Sequence, residues 1–413
     1  MLLKEFSWIN PKIEAGQVFQ ALETVIAPEL ITQTLRETSA TEERKRQLPA
    51  SLVVCLVIAM SLWSSDSMSS VLQNLVNGLN RQWTKLGERW RTPSSSSISA
   101  ARQRLGPRVM SHLFARLARP MATTSTVGAF LGGLRVMAVD GTVLDVPDSE
   151  ANARVFGYPA SRPGTRAGFP KVRLVLLVEA GTHLIVDALM CPYGIGERVR
   201  ALKLLRSLTQ GMLLMWDGGL HSYRMIQATI NQGSHYLGRV PANVKFPVEK
   251  VLADGSYLSW VAPDRKSKKK GASKIMVRVI EYTIDNQGEI ATYRLVTSLM
   301  DLVTFPALLL AEQYHQRWEI ENTIDELKTH LLGRKTPIRS LKPREVIQEI
   351  YGWLIGHSAI RSLMLQAATV ADISPLRLSF TGTLRVIRRS LPDFQDISPE
   401  QHPFFSPASS TIS

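Results

Sequence analysis

A change of apolar periodicity near Leu134 constrains the fold more than any other feature of the sequence. From Leu134 to Val240, short apolar runs such as LRVMAVD, VRLVLLVEA and MLLMWD alternate with segments of helical periodicity. Short apolar runs bounded by Gly are typical of buried strands, and strands that alternate with helices form a sheet covered by helices. The order strand, hairpin partner, strand, helix, strand, helix, strand therefore predicts an α/β fold with a mixed sheet flanked by helices.

The segments on either side of this region have different patterns. Residues 1–125 carry helical patterns without a convincing strand, and residues 241–304 carry β-type segments. A long helix is predicted from Pro306 to about Leu332, and another from Pro343 to about Ala367. We divide the chain into a helical N-terminal domain (1–125), an α/β domain (130–240 and 305–335), a β-rich insertion (241–304), C-terminal helices (336–392) and a flexible tail rich in Pro and Ser (393–413).

The balance of charge points to a polyanionic partner. Lys and Arg total 49 against 35 Asp and Glu, and the resulting net charge of +14 favours nucleic acid or an anionic membrane surface.

The candidate membrane segment, Leu48 to Trp63, is shorter than the ~20 residues of a spanning helix, so we interpret it as a buried helix. Cys55 and Cys191 are too few for a disulfide framework or a thiolate zinc site, and the N-terminus lacks the apolar core of a signal peptide. We expect a cytoplasmic protein without a membrane span.

Two basic segments could contact DNA. Arg102, Arg104 and Arg108 lie on the last predicted helix of the N-terminal domain, where phosphate contact and a solvated helix face are both possible explanations. The run from Arg265 to Lys270 (RKSKKK) is predicted at a hairpin tip in the insertion, and the same two interpretations stay open there. His183 and His357 lie in apolar contexts, and we predict that they are core or hydrogen-bonded residues, not metal ligands.

The segment YHQRWEIENTIDELKTHL, which begins at Tyr314, carries polar residues at helical spacing. At about 100° per residue, four of them fall within an arc of about 60°: Tyr314, Arg317, Glu321 and Lys328. An apolar stripe lies beside this arc, so the helix should dock on the core and present the polar row at the edge of the contact. On the same wheel Glu326 lies near 120°, and we expect it to face away from the row and to tolerate alanine.

Asp140 and Asp217 each follow an apolar run and precede a Gly. Both are therefore predicted at strand ends, where open sheets place their ligands. A carboxylate at the end of a buried strand is destabilising unless it is compensated, and oxygen-rich sites without Cys or clustered His suit Mg²⁺ or Mn²⁺. If Glu321 joins these acids, three carboxylates in a basic protein favour two-metal-ion phosphoryl transfer at a phosphodiester. Arg317 and Lys328 would then hold the flanking phosphates.

The polar residues of this helix and the two aspartates match the motifs of a known protein family. Four of them match the spacing Y, two residues, R, three, E, six, K without a gap: Tyr314, Arg317, Glu321 and Lys328. Asp140, Gly141 and Thr142 match an Asp-Gly-Thr motif, and Asp217 matches a second Asp. The chain resembles, over about residues 48–353, the bacterial insertion-sequence transposases of the DDE class that carry this Tyr-Arg-Glu-Lys signature. It departs from them at Gly218, where the family usually has Arg.

The resemblance implies a ribonuclease H-like fold and a cut-and-paste reaction on DNA. Asp140, Asp217 and Glu321 would be catalytic and would hold two Mg²⁺ or Mn²⁺ ions, and Tyr314, Arg317 and Lys328 would contact DNA. The protein would cleave at transposon ends and join the 3′ hydroxyl to target DNA, with a hairpin intermediate. It would act as a homodimer on two DNA ends, associated with the bacterial nucleoid. Family members stack a flipped base on a tryptophan late in the insertion. The matching residue is Tyr293, for which we favour a cross-strand contact in the sheet over DNA stacking.

Two other functions stay open at this point. A catalytically degenerate or repurposed element would bind DNA as a repressor, and the intact acidic triad argues against it. A nuclease of the same fold would cut DNA without joining it, and only the reaction products would distinguish such an enzyme from a transposase.

Overall fold

Helices form the N-terminal part of the chain. The computed structural model describes residues 25–44, 46–78, 91–159, 168–269, 271–286, 289–333 and 338–393. Its first helices have the helical character predicted for this region: α1 (Pro28–Glu37), α2 (Ala50–Leu62), α3 (Met68–Gly78) and α4 (Ser95–Leu117). The helix α4 is kinked at Gly106, which has a φ of 71° and precedes Pro107. Residues 1–24 and the predicted tail beyond Asp393 lie outside the described residues.

One mixed sheet forms the centre of the molecule. Its first strands are β1 (Phe130–Leu131), β2 (Leu134–Asp145), β3 (Lys171–Glu179), β4 (Leu184–Pro192), β5 (Met212–Trp216) and β6 (His235–Arg239). Their spatial order is β4-β3-β2-β5-β6, with β1 beside β2; β5 pairs in parallel with β2 and β6, and the other pairs are antiparallel. The connecting helices are α5 (Glu150–Phe156), α6 (Glu197–Leu204) and α7 (Tyr223–Asn231). This is the mixed α/β architecture that the sequence predicts.

The β-rich insertion continues this sheet. Its strands are β7 (Lys250–Val251), β8 (Tyr257–Val261), β9 (Ile275–Asn286) and β10 (Glu289–Thr297). Strand β10 pairs antiparallel with β6, and β9, β8 and β7 follow in that order towards the edge. The basic run predicted at a hairpin tip forms a short helix between β8 and β9, α8 (Arg265–Lys269), and Lys270 lies outside the described residues. The insertion is thus a lateral extension of the sheet, positioned through β6.

The long helix predicted after Pro306 is interrupted twice. Its parts are α9 (Ala307–His315), α10 (Trp318–Asp325) and a π-helical turn (Glu326–Leu331). A π turn changes the angular spacing of residues from that of a regular α-helix. The wheel angles predicted for a single regular helix therefore do not apply from Glu326 onward.

Both faces of the sheet are buried, and they contribute to different cores. Along β2, Val136 and Ala138 belong to one hydrophobic core, whereas Met137 and Val139 belong to the other. This alternation is the period of two of a strand and explains why the run is apolar throughout. Residues of α6 and α7 join the second core. The N-terminal helices join the first, together with the C-terminal helices α11 (Pro343–Val370) and α12 (Phe380–Asp393).

The helix α11 approaches α2 at close range. A Cβ at Gly352 would lie 2.5 Å from the Val57 carbonyl oxygen, and one at Gly356 would lie 2.2 Å from Ser61 Oγ. Only the absence of side chains at these two positions permits this contact. Although α11 is 28 residues long, none of the helices in the described part of the chain has the length and apolar character needed to span a membrane.

Arg102 lies inside this helical core, which contradicts its predicted contact with DNA phosphate. The residue is 1% exposed, its Nε donates to Gln348 Oε1 at 2.9 Å, and its Nη2 donates to Ser340 Oγ at 3.0 Å. A buried guanidinium is tolerated only when its donors are satisfied, and Arg102 satisfies them by joining α4 to α11. Arg104 remains on the surface, where its Nε lies 2.9 Å from Glu42 Oε1.

A buried ionic cluster attaches the π turn to the rest of the molecule. Glu326 is 7% exposed, and its carboxylate lies 3.0 Å from His183 Nδ1 and 3.0 Å from His357 Nε2. Arg361 Nε donates to the same carboxylate at 2.8 Å. Burial lowers the pKa of His183 to about 4 and that of His357 to about 3, so both rings are neutral at pH 7. Both histidines are hydrogen-bonded core residues, as predicted.

The expectation that Glu326 tolerates alanine is wrong, because the substitution would leave Arg361 buried without its carboxylate. We predict that Glu326→Ala lowers the free energy of unfolding by about 3 kcal/mol. Glu312→Ala, at an exposed position of α9, is the control and should change stability by no more than about 0.5 kcal/mol. Urea denaturation followed by circular dichroism measures both. Equal stability of the two variants would show that the cluster does not hold the π turn.

Candidate active site

Asp140 and Asp217 lie next to each other because of the parallel register of β2 and β5. The last pair of this ladder is Ala138 with Met215, and each aspartate lies two residues beyond it. Asp217 directly follows β5, as predicted, and its Oδ1 accepts a hydrogen bond from the Leu220 amide at 3.2 Å. The prediction that Asp140 ends its strand is wrong, because β2 continues to Asp145 in antiparallel pairing with β3. Only the parallel pairing of β2 with β5 ends before Asp140.

Arg317 connects Asp140 to Glu321 on α10. Its Nη2 donates to Glu321 Oε1 at 2.6 Å, and its Nη1 lies 3.5 Å from Asp140 Oδ2. The Arg317 side chain is 13% exposed, whereas that of Glu321 is 36% exposed. The three acids that the sequence singled out are thus brought to one edge of the sheet, with a guanidinium bridging two of them.

The other members of the predicted polar row also contact this edge. Lys328 Nζ donates to Thr142 Oγ1 at 3.1 Å, and the Tyr314 hydroxyl donates to the Trp216 carbonyl oxygen at 3.3 Å. Tyr314 is only 5% exposed, so its predicted contact with DNA is wrong. Its role in this structure is to fix α9 against the end of β5, because a buried hydroxyl requires a partner.

Glu197, the first residue of α6, is a further carboxylate at the site, and the sequence analysis missed it. A Cβ on Gly141 would lie 2.6 Å from Glu197 Oε1, so the Gly of the Asp-Gly-Thr motif leaves the space that Glu197 fills. On its other side, Glu197 Oε2 lies 3.7 Å from Arg173 Nη1. An acid in the first turn of a helix is common, because it complements the helix dipole. Its sequence position alone therefore gave no sign of a contact with Asp140.

The electrostatics of the site are dominated by buried negative charge. Burial raises the pKa of Asp140 to about 7; Glu197 and Asp217 raise it further, while the Gly141 amide and Arg317 lower it. Burial and the nearby Asp217 also raise the pKa of Glu197. Because the acids outweigh the bridging guanidinium, a further cation would stabilise their charged forms.

The residue types at the site fit a divalent metal ion. Their donor atoms are carboxylate oxygens, which Mg²⁺ and Mn²⁺ prefer. Within the described ranges, no three Asp, Glu, His or Cys side chains are placed to enclose a metal ion. Arg317 contacts both Asp140 and Glu321, so these two acids could hold a metal ion together only after the guanidinium moves.

Tyr293 and Gly218 lie near this edge but do not join the acids. Tyr293 pairs across the strands with Tyr282, with stacked rings whose centroids are 5.4 Å apart, and Arg239 lies 4.5 Å above the Tyr293 ring. The favoured interpretation of Tyr293 as a cross-strand residue agrees with this geometry. At Gly218, a Cβ would meet the Pro241 nitrogen at 3.5 Å, an ordinary contact distance, so the backbone does not require a glycine there.

Two families of known proteins match the chain. The family described as "Insertion element 4 transposase N-terminal" matches residues 17–115, and the family described as "Transposase DDE domain" matches residues 131–355. The second match contains all three acids of the predicted triad and covers more than half of the chain.

Individual proteins give a consistent result. The chain is 27% identical over 384 residues to "Transposase InsG for insertion sequence element IS4" of Escherichia coli (strain K12), covering 91% of this chain and 84% of that protein. It is 22% identical over 234 residues to "Putative transposase InsZ" of the same organism, covering 56% of this chain and 75% of that protein.

The fold resembles that of a piggyBac transposase in a synaptic complex with hairpin DNA. The TM-score is 0.50 at 10% sequence identity, over 94% of this chain and 84% of the other. At this identity the likeness concerns the fold alone, and it agrees with the expected ribonuclease H-like architecture. Because the family matches cover both the N-terminal helices and the sheet with its acidic edge, the chain belongs to the DDE transposase family of insertion sequences.

Proposed function

We propose that this protein is an active cut-and-paste transposase of the Tyr-Arg-Glu-Lys group. It cleaves DNA at the ends of its element and joins the freed 3′ hydroxyl to target DNA, with a hairpin intermediate on the transposon end. It assembles as a homodimer on two ends, and it works on DNA in the bacterial cytoplasm. The observation that carries the proposal is the parallel register of β2 and β5, which juxtaposes Asp140 and Asp217 below Arg317 and Glu321.

In this proposal Asp140, Asp217 and Glu321 hold two Mg²⁺ or Mn²⁺ ions. When bound, such ions activate the attacking oxygen and stabilise the leaving oxygen of an in-line displacement at phosphorus. The chain's own contribution is to keep the three carboxylates close together. Until a metal ion binds, Arg317 compensates their charge, because its guanidinium bridges Asp140 and Glu321.

Arg317 and Lys328 are proposed to bind the phosphates beside the scissile bond. Both are cationic, both lie at the acidic edge, and charge-assisted hydrogen bonds to phosphate are short and strong. Their present partners, Glu321 and Thr142, hold them close to where that bond would lie. If Glu321 were occupied in holding a metal ion, the Arg317 guanidinium would be free to donate to phosphate.

Each triad residue should be required for cleavage but not for DNA binding. We expect Asp140→Ala, Asp217→Ala and Glu321→Ala to abolish Mg²⁺-dependent nicking of a duplex that carries the inverted repeat flanking the gene, because each removes a metal ligand. Mobility-shift binding of the same duplex should be retained, and Glu312→Ala should cleave normally. Near-normal nicking by any triad variant would remove that residue from the triad. Nicking without joined products would instead indicate a nuclease, and loss of both reactions in the wild type would indicate a DNA-binding repressor.

The phosphate contacts proposed for Arg317 and Lys328 can be tested separately. Arg317→Ala and Lys328→Ala should each slow cleavage or joining by about 100-fold, since each removes a group that stabilises charge on the transferring phosphate. Glu312→Ala is the exposed control. Single-turnover rates of cleavage, hairpin formation and joining measure all three variants. Equal rates would disprove a functional role for Arg317 and Lys328.

The raised pKa of Asp140 predicts a pH dependence of stability in the metal-free protein. Between about pH 4 and 7, the unfolded chain loses the Asp140 proton while the folded chain retains it, so the stability contributed by Asp140 falls as pH rises through this window. His183 and His357, whose pKa values are lowered by burial, contribute stability that rises over the same window, so the effect of Asp140 is measured as the difference between the wild type and Asp140→Asn. Asp140→Asn should become more stable than the wild type as pH rises, by up to about 4 kcal/mol near pH 7. Adding Mg²⁺ should stabilise the wild type and leave Asp140→Asn unchanged.

Thermal and urea unfolding with and without Mg²⁺ measure these effects. Asp372→Asn is the control, because Asp372 is exposed and its φ of 52° is one that Asn also tolerates. A stability difference between the wild type and Asp140→Asn that stays constant between pH 4 and 7, or an Asn variant stabilised by Mg²⁺ as strongly as the wild type, would contradict the assignment of Asp140.

A further inference from the structure

A cleft of about 600 Å³ opens beside Asp217 and is rich in arginine. Four guanidinium groups line it: Arg198, Arg239, Arg294 and Arg317. Asp217 is the acidic residue among its lining residues, and this aspartate belongs to the proposed metal site. Such a cleft is suited to a polyanion that passes close to Asp217.

The four arginines differ in whether their charge is already compensated. Arg317 bridges two carboxylates, and Arg294 Nε lies 2.6 Å from Glu281 Oε1. By contrast, Arg198 and Arg239 take part in none of the ion pairs found among the described residues, and both are exposed. These two groups therefore present uncompensated positive charge to a ligand in the cleft.

Arg198 is held next to Asp217 by the backbone. It follows Glu197 at the start of α6, and its Nε and Nη2 donate to the Gly219 carbonyl oxygen at 3.2 and 2.5 Å. Gly219 is two residues after Asp217, and Gly218 between them contributes no side chain. The positive charge beside Asp217 thus comes from α6 and not from the β5 loop itself.

Arg239 lies on the other element of the cleft. It ends β6, and its guanidinium rests on the Tyr293 ring, 4.5 Å from the centroid. Stacking on the ring leaves the in-plane N–H groups free to donate, which is the geometry in which Arg binds phosphate oxygens.

We propose that Arg198 and Arg239 bind backbone phosphates of the DNA strand that enters this cleft. Arg198 supplies the positive charge beside Asp217. This assignment rests on the proposed function, because it takes the occupant of the cleft to be the strand being cleaved.

The salt dependence of binding tests the phosphate contacts directly. Each phosphate contact contributes about 0.9 to the steepness with which log affinity falls as log salt concentration rises. A variant that loses one contact should therefore lose about eightfold more affinity, relative to the wild type, at 0.1 M salt than at 1 M salt. We expect this reduction for R198A and for R239A, measured without divalent metal on the duplex that carries the flanking inverted repeat. K203A is the matched control, since Lys203 is an exposed cation of the same helix α6, and it should keep the wild-type slope.

A second variant distinguishes phosphate binding by Arg198 from a structural role of this residue. It restores the lost positive charge with an arginine at position 218. The Cβ contact at Gly218 is ordinary and its φ lies outside the left-handed region, so an arginine fits there without backbone strain. The double variant R198A/G218R should regain the wild-type slope and cleavage rate. A wild-type slope in R198A or R239A, or a double variant no better than R198A, would overturn the proposal. Absence of cleavage in the wild type would instead reject the proposed function, and the slopes would still report on the phosphate contacts.

Discussion

The parallel pairing of β2 with β5 is the constraint on which the rest of the structure depends. It ends at Ala138 and Met215, and it thereby places two aspartates next to each other at the edge of a sheet that is buried on both faces. Two carboxylates so close disfavour each other's charged form, and burial strengthens the effect because it removes the screening of water. The fold must therefore bring positive charge to these acids, and Arg317, the N-cap residue of α10, supplies it.

The helix can carry that charge because it is anchored on its other side. Glu326 directs a negative charge into the core, where Arg361 and two neutral histidines receive it. The segment from α10 into the π turn thus presents a cation to the acidic edge and an anion to a buried cation, so rotating or shifting it would separate both pairs at once. A buried carboxylate is tolerated only with such partners. The position of Glu321, between Arg317 and Glu326 in the sequence, follows from both attachments.

Features that depend on local periodicity were predictable, whereas features that depend on distant packing were not. The strand runs predicted that Asp140 and Asp217 lie at the ends of buried strands, and the helical spacing predicted that Tyr314, Arg317, Glu321 and Lys328 form one polar row. That the row meets the two aspartates was implied by the family resemblance and not by either pattern. Glu197 meets Asp140 only because α6 begins where Gly141 leaves space. Arg102 is buried by contacts such as that with Gln348, 246 residues later in the chain. No pattern within α4 could have indicated that helix α11 covers it.

The locations of the arginine side chains show why net charge predicts the type of binding partner but not the residues that bind it. A net charge of +14 favours association with nucleic acid, yet Arg102, Arg278 and Arg361 are all buried and serve the framework. Arg278, for example, pairs with Asp254, and little field from such a pair reaches the solvent. Counterion release requires a guanidinium that phosphate can reach and that no carboxylate already neutralises. Position on the cleft and the absence of an ion-pair partner therefore distinguish Arg198 and Arg239, the proposed phosphate ligands that need no release from a carboxylate, and both properties arise only after the chain has folded.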